Sequence, residues 1–380
     1  MKPLSKPVYI QVLAMRRMKS QVPVVTDRYN PAPLPLFLLD DSELSPLPEN
    51  LKKYDCRGNR LLLSLLKELA PWLQDVDMER VGVVIGTSAS GIAAGEVALQ
   101  YYQQHGALPA EYHHKQQELG GMAEFAAKWL GVKGPSYVVS SSCASSAQAL
   151  ASARNLLQLK ICDWVIVGGV EVLSATTVQG FDSLGALSRS RCNPFSRHRD
   201  GTVLGEGGAM MILTREPGPL ALLGVGMSSD AYHLSAPDPQ GRGATAAMSL
   251  ALEDAGVAPD RIGYLNLHGT GTPHNDAMES LAVRAVYGDC VPPCSSTKPL
   301  TGHCLGAAGA LEAALCGQLL LDPGRPMPPH CWDGYEDPEL PRLQFTGGHE
   351  RIDLNRPFCM SNTYAFGGAN VSLILGRALS

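Results

Sequence analysis

The sequence predicts an α/β protein, and three observations carry that expectation. Short apolar runs alternate with helix-spaced apolar positions from the first residues to the last. Most of the runs end in glycines or other small residues, where a strand turns into a helix. The 380 residues are 45% hydrophobic but only 18% charged, so a sizeable core is available and much surface is expected to be covered.

The elements follow in order. Val8-Tyr9-Ile10 starts a strand; Pro31, Pro33, Pro35, Pro46 and Pro48 are then expected to break anything regular. A helix follows through Leu61–Leu66 and Leu69. Val81–Gly86 reads as a buried strand, followed by a helix through Ala94–Leu99; Gly121–Leu130 is a further helix, stopped by Gly131. Ser136–Val139 is a short strand, a run of small residues surrounds Cys143, and a helix extends from Ser145 or Ser146 to Leu159. Asp163–Gly169 and Ala209–Leu213 are strands, joined by a loop through Asn193–Gly201. The order then starts again: a strand near Leu220–Val225, a helix from Thr245 to Ala255, and a strand Ile262–Leu267 ending at His268. A helix begins near Asn275, a loop carries Lys298 and His303, and a small-residue helix spans Ala307–Leu319. The chain closes on a glycine-rich loop at Phe366-Gly367-Gly368 and a strand Val371–Leu375. This matching order hints at duplication.

Composition excludes several functions. A formal net charge of -5 argues against general nucleic-acid binding. No run of eighteen apolar residues indicates a transmembrane helix, and Met1–Met18 lacks the apolar core of a signal peptide. The ten cysteines contain no CxxC, and only Cys290 and Cys294 are close, so neither zinc nor a disulfide framework is expected. The chain reads as a reduced, cytosolic protein.

Four polar residues stand at strand ends or in glycine-flanked loops: Cys143, His268, Lys298 and His303. Active sites of α/β sheets gather at strand C-termini. At a helix start, unpaired N–H groups and the macrodipole favour a thiolate and are able to hold an oxyanion. Taken singly, each has a plain structural alternative: a buried core cysteine, satisfied histidines, an exposed lysine. Glu206, between glycines, reads as a loop carboxylate that accepts backbone N–H groups.

Jointly, these stretches resemble the elongating β-ketoacyl-acyl-carrier-protein synthases of the thiolase superfamily, over about residues 75–375. The matching motifs are Gly134-Pro135-Ser136 through Cys143-Ala144-Ser145-Ser146, Arg199-Asp200-Gly201 with Gly205-Glu206-Gly207, His268-Gly269-Thr270-Gly271-Thr272-Pro273, Ser296-Thr297-Lys298 with Gly302-His303, and Phe366-Gly367-Gly368-Ala369-Asn370. The resemblance implies a thiolase-like five-layered α-β-α-β-α fold with two duplicated halves. Residues 1–215 would carry the nucleophile, and residues 216–380 the two histidines and the lysine. It implies Cys143 as nucleophile, His268 and His303 as donors to the malonyl thioester oxygen, and Lys298 tuning His303, with Glu279 as the lysine's partner. The N–H groups of Cys143 and Phe366 would form the oxyanion hole, and Phe366 would gate the site on Gly367 and Gly368. The implied reaction is decarboxylative Claisen condensation with malonyl-acyl carrier protein, extending the chain by two carbons in fatty-acid or polyketide synthesis. No metal or organic cofactor is implied, since the substrates ride on the carrier's phosphopantetheine arm.

The resemblance also implies a dimer, either of like subunits or with a related synthase-like subunit. The competing reading is a silent, chain-length-factor-like partner, which would usually lack the cysteine. Lys52, Lys53, Arg57 and Arg60 fall where related synthases present bases to the acidic carrier, with Arg189, Arg191 and Arg197 able to add to the patch. Pocket depth is expected to depend on residues from about Glu118 to Met122 and on Phe195. Two features depart from the family pattern. Gln11–Asn30 holds no glycine and looks shortened, and the nucleophile segment reads Ser-Ser-Ser-Cys. The proline-rich stretch through Arg60 looks more like synthases of bacterial polyketide pathways, including those that make aryl polyenes.

Overall fold

The structure is a computed structural model that describes residues 6–378. The first strand runs further than its opening three residues suggest: Val8–Arg17 (β1) is ten residues long. The proline-rich segment after it is not wholly irregular. Val24–Thr26 (β2) and Leu34–Leu36 (β3) form a small antiparallel hairpin, because Pro35 sits on a two-stranded edge where its missing N–H costs no ladder bond. Helix α1 (Arg57–Leu69) follows, with its leucines buried.

The remaining elements are β4 (Val81–Gly86), α2 (Ile92–His105), α3 (Gly121–Leu130), β5 (Ser136–Val139), α4 (Ser145–Gln158), β6 (Trp164–Glu171), α5 (Ala175–Ser183) and β7 (Gly207–Thr214). Then come β8 (Leu220–Ser229), α6 (Arg242–Ala255), β9 (Ile262–Asn266), α7 (Pro273–Tyr287), β10 (Cys294–Ser295), α8 (Lys298–Thr301), α9 (Ala308–Leu321), β11 (Phe358–Tyr364) and β12 (Ala369–Arg377). Gly256 ends α6 in the left-handed region at φ 65°, as the sequence suggests.

The strands run in the order β10-β9-β11-β12-β8-β1-β7-β6-β4-β5. Numbered within each half, both sets of five strands read third, second, fourth, fifth, first. The sense of pairing repeats too: β4 is parallel to β5 and β6, while β7 is antiparallel to β6 and β1. Likewise β9 is parallel to β10 and β11, while β12 is antiparallel to β11 and β8. This is the duplication at which the order of elements hints.

The layers follow from the packing. Helices α4 and α9 lie against each other in the middle, α4 on β4 and β6, α9 on β11 and β12. Helices α1 and α3 cover the outer face of one sheet half, and α6 and α7 pack together over the other. The result is the five-layered α-β-α-β-α arrangement, with one apolar core between the halves and one under each outer layer. Among the described residues, no helix is long and apolar enough to cross a membrane.

Candidate active site

Small residues bring the cysteine to its place. A Cβ on Gly86 would lie 2.3 Å from the Ser146 backbone, and one on Gly309 would lie 2.8 Å from Ala147 Cβ, so α4 seats closely against β4 and α9. Between β5 and α4 the chain turns sharply, with Ser142 in the left-handed region at φ 46°. Such a conformation in a non-glycine residue costs on the order of 1 kcal/mol. Ser145 compensates: its hydroxyl accepts the Ser141 N–H (2.9 Å) and donates to the Ser142 carbonyl (2.6 Å). The three serines thus build the turn that holds Cys143, which is 5% exposed.

The histidines come from the other half. His268 follows β9, and its loop is held by Glu279 on α7, whose carboxylate accepts the N–H groups of His268 (2.8 Å) and Gly269 (2.7 Å). His303 follows α8, and its backbone bonds across to Val203 and Gly205 at 2.7 and 3.0 Å. The His303 Nε2 lies 3.1 Å from Cys143 Sγ. The two imidazoles meet edge to face, with centroids 5.5 Å apart.

Lys298 is fully buried, against the default for lysine, and its Nζ pairs with Glu312 Oε1 at 2.6 Å. This corrects the expected pairing with Glu279, whose carboxylate is committed to the His268 loop. Glu312 was missed from sequence. Its signal was there: a lone acid within the apolar helix α9 needs a cation or hydrogen-bond donors when it is buried.

Burial governs the protonation states. It pushes the Cys143 thiol up to about 12, against the pull of Lys298. The thiolate expected from the helix start is therefore disfavoured, because burial outweighs the pull of Lys298. Burial and the charge of Lys298 hold both His268 and His303 well below the usual histidine value. A neutral thiol thus faces a neutral imidazole, which can take its proton as the sulfur attacks. Burial raises Glu279 to about 8, opposed by the two N–H groups it accepts.

Cys143, His268 and His303 open onto one cavity of about 390 Å³, together with Thr270, Phe181 and Phe366. Residues Glu118–Met122 and Phe195 do not line it, contrary to expectation. Phe195 is buried beside His330 and Phe345, and its N–H is held by Asp276 (2.7 Å). Phe366 sits on the β11–β12 turn, where Gly367 and Gly368 take φ of 84° and 79°, open to glycine and strained for other residues. Among the described residues, the amides of Gly367 and Gly368 have carbonyl acceptors and that of Phe366 has none.

The basic cluster is not the open patch that the sequence suggests. Arg57 is spent inside the fold: it bonds Glu206, the Leu39 carbonyl and Asp41. Glu206 also accepts the N–H groups of Leu39 and Leu173, as its loop setting implies. Asp55 draws in both Arg60 (2.7 Å) and Lys52 (3.3 Å). Lys53 has no ion pair among the described residues and lies over the Tyr54 ring. Arg189 is paired with Asp182.

Comparison with known proteins places the chain in a family. Residues 68–217 match the family described as beta-ketoacyl synthase, N-terminal domain, and residues 221–326 its C-terminal domain. The chain is 33% identical over 319 residues to 3-oxoacyl-[acyl-carrier-protein] synthase 2 of Synechocystis sp., spanning 79% of this chain and 76% of that protein. It is 32% identical over 322 residues to the Staphylococcus aureus protein of the same name, spanning 80% and 77%. Among solved structures it is similar to the ketosynthase ApeO, determined in complex with its chain length factor ApeC, from Xenorhabdus doucetiae. That match has a TM-score of 0.91 at 41% identity and covers 100% of both chains. A beta-ketoacyl synthase from Burkholderia phymatum matches with a TM-score of 0.85 at 26% identity, over 99% of this chain and 100% of that one.

Proposed function

Because the chain belongs to the β-ketoacyl synthase family, we propose that it elongates a carrier-bound acyl chain by decarboxylative condensation with malonyl-acyl carrier protein. The observation that carries this is the 3.1 Å approach of His303 Nε2 to Cys143 Sγ, with His268 beside it on the same cavity.

Cys143 sulfur attacks the acyl thioester of the carrier as His303 accepts its proton. The C–S bond to the carrier's pantetheine breaks, and the pantetheine sulfur leaves with a proton. The acyl group now sits on Cys143, its carbonyl oxygen held by the N–H groups of Cys143 and Phe366. A malonyl carrier enters next. Its carbon–carboxylate bond breaks, carbon dioxide leaves, and the electron pair remains as an enolate whose oxygen accepts hydrogen bonds from His268 and His303. The enolate carbon attacks the Cys143 thioester, a carbon–carbon bond forms, and the C–S bond to Cys143 breaks. Solvent then supplies the proton that returns the Cys143 thiolate to its thiol. Lys298, paired with Glu312, keeps a fixed positive charge beside the histidines, and no metal or organic cofactor enters any step.

The partners belong to the same proposal. The carrier protein is one. A synthase-like subunit is the other, in a like or an unlike pair; the unlike pair is favoured by the 41% identical ketosynthase solved with its chain length factor. Two surfaces support subunit pairing. Strand β5 ends the sheet with all four residues half-buried, and α2 exposes Val97, Leu99, Tyr101 and Tyr102. Pairing with a chain length factor favours a polyketide-type pathway, and to this we add aryl polyene synthesis, from the resemblance of the proline-rich stretch through Arg60, and a cytoplasmic setting. We place the division between the nucleophile half and the histidine half at residues 215/216, in the break between β7 and β8.

The test is Cys143→Ala, assayed with the partner subunit present. The wild type gains an acyl mass on incubation with acyl carrier protein and yields a product two carbons longer; the variant does neither. An acyl mass on the variant, or free acid as the only wild-type product, overturns the assignment. The silent-partner reading fails if the chain carrying Cys143 is the subunit that becomes acylated.

A further inference from the structure

Phe366 closes against another aromatic ring. It stacks on Phe181, with centroids 5.4 Å apart and planes inclined by 19°. Both rings line the cavity that holds Cys143. Their settings differ. Phe366 is half-buried on a turn followed by two glycines. Phe181 stands on α5 and packs against the apolar cluster of Leu173, Val178 and Leu187, which also includes Cys143.

Helix α5 is anchored at both ends. At its start the Glu96 carboxylate accepts the N–H groups of Ala175 (3.0 Å) and Thr176 (2.6 Å), and the Ser174 hydroxyl accepts that of Thr177 (3.1 Å). Near its end Gln179 donates to the Tyr29 carbonyl (3.0 Å), and Asn30 donates to Asp182 (3.2 Å). The glycine-free N-terminal segment that departs from the family pattern thus straps down the helix bearing Phe181.

We propose that Phe181 is the fixed jaw of the gate: a positioning residue whose ring holds Phe366 closed over Cys143 and so sets the balance between acyl loading and condensation. This rests on the condensing-enzyme reading. Loading needs Phe366 to leave the stack, and malonyl decarboxylation on the loaded enzyme needs it to return. An offset aromatic pair shifts such an equilibrium by roughly twofold to tenfold.

The test measures two single-turnover rates on the enzyme with its partner subunit: acylation of Cys143 by octanoyl-acyl carrier protein, and malonyl decarboxylation by the octanoyl-loaded enzyme. Phe181→Leu keeps apolar bulk and removes the ring. It should load roughly twofold to tenfold faster and decarboxylate more slowly by a similar factor. Phe181→Tyr should restore both rates. Asn30→Ala, which loosens the strap, should shift them in the same opposed directions by less. Opposed shifts are the signature, since a general structural defect lowers both rates together. Parallel or absent shifts in Phe181→Leu overturn the proposal. If that variant does not fold, the same outcome in Asn30→Ala overturns it. A wild type that neither loads nor decarboxylates removes the condensing reading itself.

Discussion

The two halves share one strand order and put different chemistry on it. The second strand of the first half, β4, runs into Thr87–Ala89, whose polar groups are gathered by the buried Glu171. The second strand of the other half, β9, runs into His268. The third strands diverge as well. β5 leads to the nucleophile, and the two-residue β10 leads to Lys298 and His303. The fourth strand ends on Glu171 in one half, and just beyond it in the other stands Phe366. Duplication fixes where loops emerge, at the C-terminal ends of corresponding strands, and leaves open what each loop carries. Cys143 and His303 come from opposite halves, so their contact exists only when α4 and α9 pack. Glu171 joins the halves there, accepting the Gly306 N–H at 2.9 Å.

The largest effects should come from breaking the histidine half. His303 touches the nucleophile and His268 does not. His303→Ala should therefore slow acyl loading as well as malonyl decarboxylation, whereas His268→Ala should spare loading and lose decarboxylation, each lost step by roughly 10²–10⁴-fold. Separate assays of acyl-enzyme formation and carbon dioxide release check this; equal loss of both steps in the two variants would merge roles that the geometry separates.

Next comes the buried ion pair that, among the described residues, only the histidine half carries beside the site. Lys298→Met strands Glu312 in the core and should cost about 3–5 kcal/mol in denaturant unfolding, because a lone buried charge replaces a paired one. Adding Glu312→Leu should recover much of that stability while leaving decarboxylation impaired. Recovery of both would reduce the pair to scaffold.

The pH dependence sharpens the comparison further. With folded values held well below 6.5, His268 and His303 should show no ring-proton titration by NMR between about pH 6 and 8. The sign for stability follows. Above 6.5 both states are neutral, and as pH falls below it the unfolded chain binds protons that these buried rings refuse, so their contribution is lost toward acid. A midpoint near 6.5 for either ring contradicts the burial argument.

The smallest effect lies on the surface of the nucleophile half. Lys53→Glu should raise the KM for carrier-bound substrate a few-fold and leave the melting temperature in place. Arg57→Glu should do the reverse and unfold the chain, since it leaves Glu206 buried without its cation. An effect of Arg57→Glu confined to KM would return that residue to the docking surface.

Much of the fold was legible because it depends on local signals. Apolar runs ended by glycines set β4, β9 and α6 within a few residues, and the resemblance of several motifs to one family grouped Cys143, His268, Lys298 and His303 before any contact was known. The misses share one cause. Glu312 and Glu279, Arg57 and the cavity walls all depend on which element lies across the site, and spacing along the chain does not carry that information.

By itself, then, the sequence determined the alternation of elements and the small residues that let α4 and α9 approach, since these follow from propensity and size, while the candidate reacting side chains came from the resemblance of its motifs to one family. Only the tertiary structure decided that Glu312 rather than Glu279 neutralises Lys298, that Arg57 belongs to the core, and that Phe366 rests on Phe181. It also decided that burial raises the Cys143 thiol above its ordinary value. Desolvation and charge pairing act through space, and their sum is settled only when the halves close around the site.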